Sequence, residues 1–324
     1  MRLWLAVVVA GLALALWGCT ADTPAPTPDD NAPSAPRLGT LWYLSFGFDP
    51  KTGACQGGLD STVWNGPRQT VFYPEYGLYC AGDPGYIAWA IGKMQDAGIN
   101  TILLSWNGWG DTDFDGEVDS AHFRAIDEAV GRVFEHVRRE ALDVRLVVLV
   151  EPFRPAGRAS VDVTVEEKQR LLDYLWERYY RAYPEQVFRM DGRPVVVTWK
   201  PPDSEWRLDD TGDERFTFKH WGDPGEADWV LLPREGVDGM RVNSDGAIML
   251  LPRWDNFYLW LTGALAEDLA HDELARMDPR LEDGLYDAAW RKVFEERERV
   301  TSLVLVYAWN AYAESAFLEP AYEG

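Results

Sequence analysis

The sequence predicts a (β/α)8 TIM barrel preceded by a signal peptide and a Pro-rich tether, and three observations carry that prediction. Short apolar runs rich in β-branched residues alternate with longer amphipathic segments, the order that asks for parallel strands joined by helical crossovers. Some of these runs, residues 146–150 and 303–307 most clearly, are apolar throughout, as strands buried on both faces are. Eight such runs fit within residues 38–324, which suits a closed barrel better than an open sheet.

Each segment follows from local signals. Arg2 precedes an apolar stretch over residues 3–16 that is too short to span a bilayer comfortably, so residues 1–18 read as a signal peptide. Leu16-Trp17-Gly18-Cys19 resembles the lipobox of bacterial lipoproteins, which implies lipidation at Cys19 and an extracytoplasmic place on the cell envelope; an ordinary cleaved signal is the alternative. Residues 19–37, mostly Pro, Ala, Thr and Asp, have little to bury and form an extended tether. The barrel occupies 38–324. Strands are expected at 40–46, 101–106, 145–150, 194–199, 216–220, 229–232, 247–251 and 302–308, and helices at 86–97, 120–141, 165–183, 257–265 and 285–299. Asp83-Pro84 supplies a cap and a first-turn proline, and Gly98 follows the last turn of the same helix. Asp191-Gly192 makes a tight turn into the fourth strand.

With 324 residues, 47% of them hydrophobic, the chain can bury one large core. Its net charge of −22 and pI of about 4.5, without a basic cluster beyond short helical stretches, argue against nucleic acid as a partner. The 16 Trp and 14 Tyr in an acidic exported chain point toward an oligo- or polysaccharide, because aromatic rings stack on the apolar faces of sugars and carboxylates accept their hydroxyl protons. After export, Cys55 and Cys80 read as one disulfide, with two free thiols as the alternative. The four histidines have no metal spacing, and neither a phosphate loop nor a Ser-His-Asp arrangement is present.

Candidate chemistry sits just past the strands. Glu151 ends the third apolar run ahead of Pro152, where a barrel strand delivers its side chain to the active-site face. Its expected role is a base or a hydroxyl-binding carboxylate, against a purely structural acceptor for backbone amides. Glu314 follows the eighth strand; a pocket lined by Trp309 and Tyr312 would keep it protonated as a general acid, whereas in solvent it is an ordinary loop carboxylate. Tyr43, Trp106, Asn107, Trp109, Trp199, Lys200, Asp255 and Asn310 end or adjoin strands as candidate sugar-binding groups, core packing being the alternative for the tryptophans.

Ordered motifs along most of the domain carry a family resemblance. Gly77-Leu78-Tyr79, Asp83-Pro84-Gly85-Tyr86-Ile87-Ala88-Trp89, Met94-Gln95-Asp96-Ala97-Gly98-Ile99 and Leu104-Ser105-Trp106 are similar to the endo-α-mannosidase-like glycoside hydrolases, family ninety-nine and its relatives. So are Val150-Glu151-Pro152-Phe153, the junction Phe188-Arg189-Met190-Asp191-Gly192-Arg193-Pro194-Val195, and the terminal set Trp309-Asn310, Tyr312, Glu314 and Leu318-Glu319-Pro320. The resemblance implies a barrel that cleaves α-mannosidic or related links with retention and without metal at the reacting carbon. It also implies a last-strand motif Asn-Glu-aromatic-x-Glu, whose first Glu is the base toward the sugar's 2-hydroxyl and whose second is the general acid. Here the first position is Ala311 and the second Glu314. Alanine cannot take a proton, so either another carboxylate serves or the protein binds sugar without hydrolysing it.

One further motif stands outside that pattern. Asp111-Thr112-Asp113-Phe114-Asp115-Gly116-Glu117-Val118-Asp119 resembles extracellular calcium loops, with Asp111, Asp113, Asp115 and Asp119 as expected ligands of a structural Ca2+. Position twelve is His122 where an EF-hand carries Glu, and a solvated acidic loop capping the helix from Ser120 is the alternative.

Overall fold

The computed structural model describes residues 35–49, 51–56, 72–152, 163–200, 206–222, 228–230, 240–250, 285–311, 316–319 and 321–323. Eight parallel strands form its centre: β1 (Arg37–Tyr43), β2 (Thr101–Trp106), β3 (Arg145–Val150), β4 (Arg193–Lys200), β5 (Thr217–Gly222), β6 (Trp229–Val230), β7 (Ile248–Leu250) and β8 (Leu303–Val306). Their order is β6-β5-β4-β3-β2-β1-β8-β7, so the first strand pairs with the last and the sequence of neighbours is cyclic. Only the β6–β7 step lacks ladder hydrogen bonds among the described residues, and there the two strands approach within 8 Å between Cα atoms. This is the arrangement of an α/β barrel, built within a unit that runs from Ala35 to Gly324.

Helix α1 (Pro84–Asp96) links β1 to β2, α2 (Ala121–Arg139) links β2 to β3, and α3 (Val165–Leu175) lies between β3 and β4. α4 (Leu285–Glu295) precedes β8. Side chains place the helix starts: Asp83 and Ser120 each accept a first-turn amide, and Thr164 with Glu167 forms a reciprocal capping box. The turn into β4 runs through Asp191 and Gly192 at φ 51° and 76°, a left-handed pair that lets Arg189–Met190 fold back antiparallel on β4.

Alternation along the strands makes two apolar layers. Leu41, Leu103, Val147, Leu149, Val195, Val197, Leu303 and Leu305 fill the barrel interior. Trp42, Ile102, Leu104, Leu146 and Val148 face outward under α1, α2 and α3, while Ile248, Leu250, Val304 and Val306 meet α4. The interior also holds a polar cluster: Lys219 pairs with Asp245 at 2.7 Å, and the buried Trp229 donates its indole N–H to the same carboxylate at 2.8 Å.

Several boundaries differ from expectation for identifiable reasons. β1 begins at Arg37, inside the expected tether, because its guanidinium bonds Thr101 Oγ1 and Asp143 as the backbone enters the sheet beside Leu303. It ends at Tyr43 rather than residue 46, since Leu44 and Phe46 leave the ladder to pack in the outer layer. The helix expected over 165–183 breaks into α3 and a π-helical turn at Trp176–Tyr180. That turn brings two successive tyrosines inward at once, Tyr179 hydroxyl to Asp127 and Tyr180 hydroxyl to the Val195 carbonyl. The helix expected at 257–265 lies outside the described residues.

Candidate functional site

Residues two positions beyond the interior layer must also face inward, now at the C-terminal mouth of the barrel. In β1, β2, β3 and β4 these are Tyr43, Ser105, Glu151 and Trp199. Tyr43 is in register with Ser105. The Ser105 hydroxyl donates to Glu151 Oε1 at 2.9 Å, and the Glu151 N–H prolongs the ladder to the Trp106 carbonyl at 2.9 Å. Between the neighbouring β1 and β8, the Tyr43 and Tyr307 hydroxyls share a 2.9 Å hydrogen bond. Tyr307 then meets Trp221 edge-on at 5.9 Å, and Trp221 meets Trp199 at 6.4 Å. One carboxylate, one serine, two tyrosines and one tryptophan therefore meet at the mouth from five strands or their ends, above Trp221, which is fully buried beneath them.

A second arc of hydrogen bonds fixes the backbone of that opening. Asn310, 0% exposed, accepts from the Tyr43 N–H at 2.9 Å and donates to the Tyr43 carbonyl at 2.8 Å and the Tyr79 hydroxyl at 3.0 Å. Tyr79 and Tyr86, stacked at 3.5 Å, donate to the two oxygens of Glu319, which is 2% exposed. Burial, then the neighbouring Glu319 carboxylate, pushes the Tyr79 phenol well above its ordinary value, so it stays protonated as a donor.

Three expected binding residues have other tasks. Trp106 is 0% exposed and points into the outer layer, where its indole N–H donates to Asp127 at 2.8 Å and its ring stacks with Trp109 and Tyr174. Its parity is that of Leu104, so the position that reaches the mouth from β2 is Ser105. Trp309, 2% exposed, packs in the same outer layer. Asn310 spends its amide on Tyr43 and Tyr79 as described. Trp109 is half-buried against Trp106, Tyr174 and Phe114, and Asn107 is half-buried just beyond β2. Lys200 closes β4 opposite Gly222, its side chain outside the description. Cys19, Asp255, Tyr312 and Glu314 lie outside the described residues. Ala311 does not: it pairs antiparallel with Ala316, in a short ladder that also sets Asn310 opposite Phe317.

Sequence reasoning passed over Ser105, Trp221 and Tyr307. For Ser105 and Tyr307 the alternation Leu103-Leu104-Ser105-Trp106 and Leu303-Val304-Leu305-Val306-Tyr307 contained the signal, because each lies two residues past an interior leucine; the strand of Trp221, Thr217–Gly222, has no leucine to count from.

Beyond the mouth, Cys55 and Cys80 are joined in a disulfide with Cα atoms 5.5 Å apart. After β2, Asp111, Asp113 and Asp115 bring one carboxylate oxygen each within 4.8 Å of one another. Asp119 is engaged differently: its two oxygens accept from the Thr112 N–H at 3.0 Å and hydroxyl at 2.6 Å.

No protein-family profile matches the chain, and no curated protein matches it in sequence. Solved structures do match in fold. A GH99 endo-α-mannosidase from Bacteroides thetaiotaomicron superposes with a TM-score of 0.57 at 16% identity, covering 88% of each chain. The same enzyme in complex with bis-tris-propane gives a TM-score of 0.56 at 16% identity, over 88% of this chain and 87% of that one. A protein described as glycoside hydrolase-like gives 0.52 at 12% identity, over 93% of this chain and 91% of that one. The chain has a glycoside-hydrolase-like barrel fold. Identities this low establish the fold alone, so the chemistry rests on the residues at the mouth.

Proposed function

We propose that this protein acts on α-linked, mannose-type glycans at the cell surface, held to the membrane by lipid at Cys19. The observation that carries the proposal is the lining of the barrel mouth, to which strands contribute Glu151, held by Ser105, the Tyr43–Tyr307 hydroxyl pair and the half-buried Trp199. A half-buried carboxylate accepts sugar hydroxyl protons, phenols exchange hydrogen bonds with ring hydroxyls, and an indole face takes the apolar side of a pyranose. The endo-α-mannosidase fold neighbour supports the choice of glycan class.

Hydrolysis needs two carboxyl groups flanking the scissile bond. In the catalytic reading Glu314 is the general acid and Glu151 the base or hydroxyl acceptor. A second reading, a carbohydrate-binding protein without turnover, is favoured by one specific feature: Ala311 occupies the position where the resemblance calls for the base. Product analysis on a panel of α-mannans and α-glucans separates the two. Turnover that falls by at least about a hundredfold in Glu314→Gln establishes the acid. Saturable binding without products, with hydrolysis appearing only in Ala311→Glu, establishes the binding protein. Neither binding nor products on any glycan would refute both. Release of Cys19→Ala protein into the soluble fraction tests the anchor, and unchanged membrane association would exclude it.

A further inference from the structure

The loop between β2 and α2 carries more acid than the sugar site uses, and its geometry is specific. Asp111, Asp113 and Asp115 place one oxygen each within a 4.8 Å span. Carboxylates this close repel unless a cation lies between them. Asp113 and Asp115 are exposed and could spread apart in water, but Asp111 is only 5% exposed and cannot follow them. Its Oδ2 accepts the Gly116 N–H at 3.0 Å, while its Oδ1 is buried with no hydrogen-bond donor among the described residues. A buried carboxylate oxygen without a donor is costly, and a metal ion supplies the missing partner.

From these observations we infer that the Asp111–Asp115 loop binds one calcium ion, with the carboxylates of Asp111, Asp113 and Asp115 as its side-chain ligands. Oxygen-only ligands at alternate positions suit a hard cation, and the glycine that follows permits the sharp turn: Gly116 has φ 99°. In loops of this pattern the seventh position gives a backbone carbonyl, here that of Glu117. The remaining expected ligand, Asp119, and His122 at position twelve have different roles. Asp119, held at both oxygens by Thr112, closes the loop, and the adjoining neck is fixed where the Asp119 and Ser120 amides both donate to the Gly110 carbonyl at 2.9 and 2.8 Å. His122 packs beside Phe48 and Phe123 and does not join the three carboxylates.

Elsewhere the loop is already anchored. The Phe114 ring is buried against Trp109, and Arg170 of α3 donates to the Phe114 carbonyl at 2.7 Å. On the acidic edge, Asp113 Oδ1 accepts the Asp115 N–H at 3.2 Å and Asp115 Oδ1 the Glu117 N–H at 2.7 Å, which leaves Asp111 Oδ1 as the buried oxygen without a donor among the described residues. Calcium there would complete the fastening of the segment that leads from Trp106 and Trp109, at the end of β2, into α2. Affinity is expected in the range of extracellular modules, on the order of 10⁻⁴–10⁻³ M, since only three carboxylates are offered.

The test uses the exported full-length protein, stripped with EGTA and titrated with CaCl2 by isothermal calorimetry, with thermal melts alongside. One site per chain is expected, with a melting temperature that rises with calcium concentration and responds less to the same concentration of MgCl2. The isosteric double variant Asp113→Asn plus Asp115→Asn should weaken calcium binding by at least about tenfold and lose the thermal response. Because both residues are exposed, the variant should melt with the calcium-free wild type. Absence of binding at 5 mM CaCl2, roughly above the weakest class of such sites, would overturn the inference. Binding that persists unchanged in the double variant would overturn it equally, since the ion would then sit elsewhere.

Discussion

Asp127→Ala removes an acceptor shared by three side chains at the back of the site. Trp106 Nε1, the Tyr174 hydroxyl and the Tyr179 hydroxyl donate to Asp127 at 2.8, 2.6 and 2.5 Å. Burial, followed by the Asp127 carboxylate itself, raises both phenols above their ordinary range, so both remain donors. Tyr179 keeps a fallback in the Asp127 backbone carbonyl at 2.9 Å. Tyr174 is half-buried and can turn toward water. Trp106, fully buried, has neither escape. A hydrogen bond to a carboxylate contributes about 1.5–3 kcal/mol, and an orphaned buried donor adds its desolvation, so the loss should be about 3–5 kcal/mol. With a urea slope of about 3 kcal/mol/M for a domain of this size, the unfolding midpoint should fall by roughly 1–1.7 M. Asp127→Asn, which keeps one acceptor oxygen, should lose less than half of that. Tryptophan fluorescence in urea reads both variants. A midpoint within 0.3 M of wild type for Asp127→Ala, a shift of roughly 1 kcal/mol on the same slope, would refute the reasoning, because it would mean that the triple acceptor does not hold β2 to α2.

Other perturbations follow from the same geometry. Glu319→Gln leaves Tyr79 and Tyr86 one acceptor oxygen for two buried hydroxyls; it should lower stability by about 1–3 kcal/mol, and an unchanged melting temperature would contradict the clamp around Asn310. Paired Cys55→Ser and Cys80→Ser, which opens a crosslink of sequence separation 25, should destabilise by about 3.5 kcal/mol, measurable as a lowered urea midpoint. Burial holds His220, with Thr198, Asp209, Asp228 and Arg207 around it, below its ordinary value of 6.5. Its neutral ring therefore supplies stability that is complete above about pH 6.5 and lost as pH falls toward the folded value. His220→Gln should flatten the melting-temperature profile between pH 7 and 5, and an unaltered slope would count against it.

The parts of the fold that were readable in sequence are those where burial leaves one choice. β2 and β3 are apolar or small at nearly every position because both faces are covered, and their observed limits match the expected ones. Helix starts were equally legible, since Asp83-Pro84 and Ser120 satisfy first-turn amides by short-range chemistry. Strand ends were less so. Trp106 and Ser105 are neighbours, and only alternation counted from the interior leucines decides which one reaches the mouth. Asn310 looked like a ligand-binding amide, but its partners, Tyr43 and Tyr79, are more than 230 residues away in sequence. The Tyr43–Tyr307 bond joins residues 264 apart and exists only because the first and last strands close the ring. The π-helical turn, too, answers to long-range demands, those of Asp127 and Val195 on adjacent tyrosines.

The claim that the barrel mouth is a glycan site is tested most directly by titrating the best-binding α-linked oligosaccharide into wild type, Glu151→Gln and Trp199→Ala by calorimetry. Glu151→Gln preserves an oxygen for Ser105 but removes the charge, and a charge-assisted hydrogen bond of about 1.5–3 kcal/mol corresponds to roughly a tenfold to hundredfold loss of affinity. Trp199→Ala should weaken binding by a similar factor, and both variants should retain near-wild-type melting temperatures. Unchanged affinity in both would place the sugar somewhere other than the mouth and contradict the account.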